Sequence, residues 1–167
     1  LSVDSDSKEN KPGEDVDFIF NITNTGNGQD NYILSVSGPA VWNPVLSQNV
    51  SSINAVSVSQ FTLTVSIPSD RDAGASSGDI IVTVVSSDGV STANSTVSVM
   101  SSQVYDIGLD HVSGSDGAVS VTQETQILLK LNVTNNGNGI DTVNLTITNA
   151  PSWASLVAYT MQIGRGQ

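Results

Sequence analysis

Hydrophobic and polar residues alternate with a period of two through most of the chain. This is the period of a half-buried β-strand, whose successive side chains point to opposite faces of a sheet. Turn signals such as Pro12-Gly13 and Asp88-Gly89 separate the alternating runs. No stretch has the 3.6-residue period of an amphipathic helix, so the pattern predicts an all-β sandwich or barrel. The apolar positions of the runs are Val16, Phe18, Phe20, Ile22, Tyr32, Leu34, Val36, Phe61, Leu63, Val65, Ile67, Ile80, Val82, Val84, Val97 and Val99.

One of these runs changes phase. Val56 and Val58 are out of step with Phe61 and the apolar residues that follow it. An extra residue in one strand of a pair would restore the phase. A β-bulge is therefore predicted near Ser59-Gln60.

The sequence repeats itself at an offset of 111 residues. From Asn21 to Trp42, adding 111 superimposes the second half on the first without a gap, with nine identities in twenty-two positions. The signature is a turn, Asn24-Thr25-Gly26-Asn27-Gly28-Gln29-Asp30, which recurs as Asn135-Asn136-Gly137-Asn138-Gly139-Ile140-Asp141. Self-similarity of this kind, in phase with the strand period, predicts two copies of one module.

The repeat divides the chain into a first domain over residues 1–100, with about seven strands, and a second over residues 101–167. The second copy has counterparts of the opening strands and of Trp42, and a short further strand is expected around residues 156–159. Counterparts of the three later strands are missing, which would expose a sheet edge and half a core. Two explanations stay open: the second repeat is truncated, or strands from another chain complete it.

Composition and charge narrow the range of functions. The chain is 38% hydrophobic and only 13% charged, with a net charge of −11. Lys and Arg contacts to phosphate supply most nucleic-acid affinity, so neither nucleic acid nor an anionic membrane is an expected partner. Cysteine is absent from the sequence, which excludes disulfides, thiol catalysis and Cys-ligated zinc within it. No apolar run approaches the roughly 20 residues of a membrane span.

The first repeat resembles a known group of domains. Pro12-Gly13-Glu14, the alternating strand, the Asn24–Asp30 turn and Trp42 together resemble the prokaryotic Ig-like repeats of the NEW3 and CARDB type. Residues 61–68, followed by Asp72-Ala73-Gly74, are similar to the same family's strand and loop. The second copy departs from the pattern at residues 122–124, where Pro-Gly is expected.

The resemblance implies a fold of immunoglobulin-like antiparallel β-sandwich repeats in tandem, the second repeat incomplete. It also implies a place in archaeal or bacterial surface and secreted proteins. There, such domains act as spacers or as accessory modules of adhesins, exported hydrolases and envelope proteins. Its motifs are more specific for fold than for function.

The repeated turn can be interpreted in two ways. Its amide and carboxylate oxygens could bind Ca²⁺ weakly. In the other interpretation, which we favour, its glycines adopt positive φ and its Asx side chains hydrogen-bond the backbone of a structural turn. The ligand candidates are Asn27, Asp30, Asn138 and Asp141, and the turn glycines are Gly26, Gly28, Gly137 and Gly139.

A second weak Ca²⁺ candidate is the junction that follows the first repeat, where Asp106, Asp110 and Asp116 are expected near its loops. No other cofactor is expected. His111 is the only histidine, its neighbour Asp110 points to the opposite side of a strand, and no Gly-x-Ser-x-Gly elbow occurs. No catalytic residue and no enzymatic activity are therefore predicted.

Trp42 and Trp153 stand at equivalent places, each after a turn that contains proline. Stacking on a sugar is one use for such a pair. A Trp in this position more often fills the core between two sheets, so both are predicted to be core residues.

Together these observations predict a non-catalytic structural, spacer or adhesion module of a secreted or cell-surface protein. One alternative is a carbohydrate- or protein-binding accessory domain of an exported enzyme. Another is an assembly module that exchanges strands through the incomplete second repeat and forms a strand-swapped oligomer. The expected partners are other domains of a longer parent protein, and a protein or polysaccharide, without membrane insertion by this segment.

Overall fold

The computed structural model describes residues 1–111 and 122–167, which form two compact units, Leu1–Ser102 and Gln103–Gln167. The first unit has nine strands and one turn of 3₁₀ helix, Ala40–Trp42. None of the described residues forms a helix long and apolar enough to cross a membrane. The strands are β1 (Ser2–Val3), β2 (Ser7–Asn10), β3 (Asp15–Asn24), β4 (Asp30–Ser37), β5 (Val45–Leu46), β6 (Val50–Ile53), β7 (Ser57–Ser66), β8 (Ile80–Ser86) and β9 (Thr92–Ser101).

One sheet of the first unit has the strand order β1-β3-β7-β5. At its centre β3 and β7 are antiparallel in an unbroken register, from Asp15 opposite Ser66 to Asn24 opposite Ser57. The β-bulge predicted near Ser59-Gln60 is therefore wrong. Val58 is out of phase with the core residues because it lies on the exposed outer face of the sheet, which requires no extra residue.

The other sheet has the order β2-β9-β8-β4-β6. Its strands are antiparallel except for β2, which runs parallel to β9 from Ser7 opposite Ser98 to Asn10 opposite Ser101. The chain thus begins in one sheet as β1 and crosses to the other as β2. This crossing, with the short strands β5 and β6, gives nine strands where the periodicity predicts about seven.

Alternate residues of both sheets meet in a single core. The large side chains that are fully buried include Phe18 and Leu63 from one sheet and Ile80 and Val99 from the other. Phe20 and Phe61, opposite each other in the β3–β7 register, stack with ring centroids 5.1 Å apart. The prediction of an all-β, immunoglobulin-like antiparallel β-sandwich is confirmed.

The second unit has four described strands in two two-stranded sheets. Strand β10 (Ile107–His111) pairs with β11 (Leu131–Asn135), and β12 (Asp141–Asn144) pairs with β13 (Thr160–Ile163).

Strand β11 is half as long as its counterpart β3, with five residues against ten. β7 accompanies β3 over its whole length, whereas the described residues of β10 accompany β11 over Leu131–Asn135. Residues 126–130, equivalent to the first half of β3, have no ladder partner among the described strands and are not in strand conformation.

Candidate functional site

The first copy of the repeated turn is organised by Asn24, which ends β3 and is only 2% exposed. Its Oδ1 accepts a hydrogen bond from the Gly26 N–H at 2.9 Å. Its Nδ2 donates to the carbonyl oxygens of Gly28 at 2.9 Å and of Ile53 at 3.0 Å. The side-chain amide therefore closes the turn and also ties it to β6.

Asn135 makes the same three contacts in the second unit and is 1% exposed. Its Oδ1 accepts from the Gly137 N–H at 2.9 Å, and its Nδ2 donates to Gly139 O at 2.7 Å and to Ile163 O at 2.9 Å. Both amide donors are used in each copy, as a buried polar group requires.

The two distant acceptors, Ile53 and Ile163, are equivalent by strand register. Ile53 lies opposite Asp30 in the β4–β6 pair, and Ile163 lies opposite Asp141 in the β12–β13 pair. Their offset is 110 rather than 111 because the second copy has one residue fewer after the turn. The gapless repeat ends at Trp42, so it does not locate β13, the strand that contains Ile163. The short strand expected around residues 156–159 begins instead at Thr160.

Two of the four turn glycines, Gly26 and Gly137, leave little room for a Cβ. None of the four has a positive φ, so the conformation predicted for them is wrong. A Cβ on Gly26 would lie 3.0 Å from Asn24 Oδ1. A Cβ on Gly137 would overlap the Val104 carbonyl oxygen, whereas one on Gly28 would meet nothing within 4 Å.

In the second unit the turn also holds the chain that precedes β10. Asn138 Oδ1 accepts a hydrogen bond from the Val104 N–H at 2.7 Å, and the Asn136 N–H donates to Asp106 O at 2.7 Å. Asn138 is buried as a result, while its equivalent Asn27 is exposed. The Asn138 oxygen is thus engaged by the protein's own backbone.

The carboxylates proposed as Ca²⁺ ligands are not gathered into one site. Asp30 and Asp141 each accept a hydrogen bond at 2.7 Å from the N–H of the next residue in their own strand. Asp106 and Asp110 are exposed, and Asp116 lies outside the described residues. Within residues 1–111 and 122–167, no three His, Cys, Asp or Glu side chains are placed to hold a metal ion.

The two equivalent tryptophans have opposite environments. Trp42 belongs to the core of the first unit and is 3% exposed. Trp153 is 85% exposed, so its predicted core position is wrong. The core of the first unit includes β7, β8 and β9, and the described part of the second unit contains no counterparts of those strands.

Apolar residues of β3 and their equivalents in the second unit also differ in exposure. Phe18 and Phe20 are fully buried, whereas their equivalents Leu129 and Leu131 are 51% and 48% exposed. Two apolar side chains, one at the start of β11 and one just before it, are thus about half exposed in the second unit.

An ion pair fixes the crossing between β1 and β2. Asp4 and Lys8 approach to 2.6 Å, and both side chains are about one-third exposed. Asp4 Oδ1 also accepts from the Ile19 N–H at 3.0 Å, while Lys8 Nζ donates to Asp17 O at 2.6 Å and lies 5.1 Å from the Phe18 ring centroid. The hydrogen bond from Lys8 is the main cause that lowers the pKa of Asp4. Sequence reasoning missed this pair, although its i, i+4 spacing is visible.

No family model matches the chain, and no curated protein matches it. The assignment to the NEW3 or CARDB type thus stays a prediction. Among solved structures, the chain is similar to PapD-like domain 7 of human CEP192, with 15% identity, 60% of this chain and 83% of that chain covered, and a TM-score of 0.43.

Two further similarities are of the same order. One is with SSP-19 of Caenorhabditis elegans, an MSP-domain protein-like family member. The identity is 11%, the match covers 61% of this chain and 99% of that chain, and the TM-score is 0.40. The other is with the E. coli chaperone DraB. The identity is 11%, the match covers 80% of this chain and 84% of that chain, and the TM-score is 0.41. Similarities this low carry no statement about function.

Proposed function

We propose that the chain is a non-catalytic structural spacer of a secreted or cell-surface protein, built from Ig-like repeats of the NEW3 or CARDB type. The observation that carries the proposal is the parallel pairing of β2 with β9. A spacer must keep its length when the chain is pulled, and this pairing opposes such a pull.

The geometry of the pair explains why. Tension that arrives through Leu1 passes through the two-residue strand β1 to the amino end of β2, and tension that leaves through Ser102 acts on the carboxyl end of β9. Because the strands are parallel, these are opposite ends of one ladder, and the pull shears all its hydrogen bonds together. The ladder is continued at its two ends by bonds from Ser98 N–H to Asp6 O at 2.9 Å and from Ser102 N–H to Asn10 O at 2.8 Å.

The surface also suits an exported spacer. A net charge of −11 makes copies of the chain repel one another and disfavours anionic partners. The acidic residues are spread along the sequence instead of forming one site.

Single-molecule stretching in two geometries tests the proposal. Since the sequence contains no cysteine, single cysteines placed for attachment are unambiguous. In the first geometry the chain is pulled between its two ends. In the second it is pulled between Lys11→Cys and the carboxyl end, which loads the β2–β9 ladder from one end, so its bonds break in sequence.

The first geometry should need a clearly higher force than the second, although the protein and its stability are the same. Rupture of the ladder should release the residues between Asn10 and Ser98, a gain of about 300 Å at 3.3–3.6 Å per residue. Forced unfolding reports the barrier, so equal forces in the two geometries would contradict a mechanical role. Unfolding of the second unit occurs in both geometries, so it does not affect the difference in force between them.

A second candidate is an accessory domain that binds a protein or a polysaccharide. The observation that favours it is the exposure of Trp153 and Tyr159 in the second unit, since aromatic rings stack on sugars and anchor interfaces. Quenching or a shift of tryptophan fluorescence across a polysaccharide panel, abolished in Trp153→Ala and kept in Trp42→Phe, would favour this candidate. No change with any member of the panel would leave the spacer as the better proposal.

A further inference from the structure

The free edge of β11 already carries the beginning of a second ladder. On the side away from β10, the Asn135 N–H donates to Gln167 O at 2.9 Å, and the Gly166 N–H donates to Asn135 O at 2.9 Å. Two backbone hydrogen bonds therefore fix Gly166-Gln167 against the last residue of β11.

In the first unit the same place is occupied by the start of β7. Asn24, the equivalent of Asn135, lies opposite Ser57, the first residue of β7. The residues just before this point share an unusual conformation: Val56 has φ +53° and Gly166 has φ +69°. The offset between the two pairs is 110, as it is between Ile53 and Ile163. Gly166-Gln167 is thus the structural counterpart of the turn that leads into β7.

What lies beyond this point differs between the units. In the first, β7 continues along β3 and covers Phe20 with Phe61 and Phe18 with Leu63. In the second, none of the described strands pairs with β11 on this side, and the apolar side chains of Leu131, at the start of β11, and of Ile127 and Leu129, just before it, are about half exposed. An open edge beside an apolar row is a template for one more strand.

We propose that this edge is the docking site of an antiparallel strand joined to Gln167, with the alternation of β7. The register follows from the first unit: the fourth, sixth and eighth residues after Gln167 are apolar and lie opposite Leu131, Leu129 and Ile127. The inference rests on the proposed repeat organisation and adds to it the partner strand and its register.

A second copy of the chain is the less suitable donor. In each copy β7 is held on both edges, by β3 and β5, and its inward side chains are fully or nearly buried. Releasing it would unfold the first unit. The net charge of −11 on each copy also opposes their approach.

The test extends the chain after Gln167 with a copy of its own residues 58–67. The control extension has the same length, with the copies of Phe61, Leu63 and Val65 replaced by Ser. Hydrogen exchange by NMR then reads the β11 amides separately. Because the Asn135 N–H lies on the side of β11 away from β10, those of Val133 and Leu131 lie there too, while Asn132 and Thr134 face β10. Leu129 precedes β11, and its N–H would join this side once a docked strand extends β11.

The matched extension should slow exchange at Leu129, Leu131 and Val133 by roughly tenfold or more and leave Asn132 and Thr134 nearly unchanged. The Ser-substituted extension should not. A second extension with residues 58–101 supplies the facing sheet as well. It tests the inference even if a single added strand binds too weakly to protect the β11 amides. The inference would be overturned by any of three results. The first is unchanged exchange with both matched extensions, and the second is equal protection by the Ser-substituted extension. The third is protection that appears only when light scattering detects dimers. The stretching experiment reads the first unit, so the two proposals can fail independently.

Discussion

Asn24 and Asn135, 111 residues apart, each close a turn with the same three hydrogen bonds. One is accepted from a glycine two residues on, one is donated to a glycine four residues on, and one is donated to the last isoleucine of a later strand, Ile53 of β6 or Ile163 of β13. Repetition of a whole bonding pattern, rather than of residue types alone, identifies the buried amide as the centre of the turn.

Replacing Asn24 with Ala should destabilise the first unit. The change removes three hydrogen bonds and leaves the Ile53 and Gly28 carbonyls without this donor, which costs about 2–3 kcal/mol. Urea denaturation of the whole chain, followed by near-ultraviolet circular dichroism, measures the loss. The control is Asn27→Ala, an exposed residue of the same turn, which should change stability by no more than about 0.5 kcal/mol. Equal effects of the two substitutions would show that the turn is not organised by Asn24.

Gly137→Ala and Gly28→Ala should differ, although both substitute a glycine of the repeated turn. A Cβ at Gly137 would collide with the Val104 carbonyl oxygen, so the contact between the turn and the chain before β10 must open. At Gly28 the added methyl group meets open space. Exchange of the Asn136 amide, whose N–H is bonded to Asp106 O, should accelerate in Gly137→Ala. In the Gly28→Ala variant it should keep its original rate, and acceleration in both would argue against a steric cause.

The Asp4–Lys8 pair should make stability depend on pH in the acidic range. The pKa of Asp4 is lower in the folded protein than its unfolded value of about 3.9. The pair's contribution is therefore fully present above that value and is lost as pH falls through the folded pKa. Because both side chains are partly exposed, the contribution is about 0.5 kcal/mol.

Asp4→Asn tests this dependence. The difference in unfolding free energy between the original protein and the variant should be constant above about pH 5 and should shrink below about pH 4. It should also decrease in high salt, which screens exposed charges. A difference that is the same at pH 3 and pH 7 would contradict a contribution from the charge of Asp4.

The two tryptophans should be separable by fluorescence. Trp153→Phe leaves buried Trp42, whose emission should be blue-shifted and weakly quenched by acrylamide. Trp42→Phe leaves exposed Trp153, with red-shifted and strongly quenched emission. Stability should fall markedly only in Trp42→Phe, because that substitution leaves a void in the core, at a cost of about 1–3 kcal/mol. Similar quenching in the two variants would contradict the opposite environments of the two residues.

The sequence predicts the parts of the fold that depend on local periodicity. The strands around Phe20, Phe61 and Ile80 could be located because each has one face in the core. Pairing partners are non-local, and no residue pattern in β2 distinguishes a parallel contact with β9 from an antiparallel one. Strand β13 was missed for a related reason: one deleted residue ends the gapless repeat, and only the register from Asp141 locates it.

Prediction of the site was limited by what a short motif reveals. The turn could be recognised from its Asn and Gly residues, but the expected reason for glycine, positive φ, was wrong. The clash that Gly137 avoids involves Val104, thirty-three positions away in the sequence. The repeat predicts the same core position for Trp153 as for Trp42, and this fails because burial depends on strands that the described part of the second unit does not contain.

The claim that both units are built on the same asparagine-centred turn can be tested in one sample. Hydrogen exchange of the side-chain Nδ2 amides of Asn24 and Asn135, measured by NMR, compares the two copies directly. Both should exchange far more slowly than the exposed amide of Asn27, because each donates both its hydrogens to backbone carbonyl groups, one of them through a buried hydrogen bond. Rapid exchange at Asn135 with slow exchange at Asn24 would contradict the claim and restrict the module to the first unit.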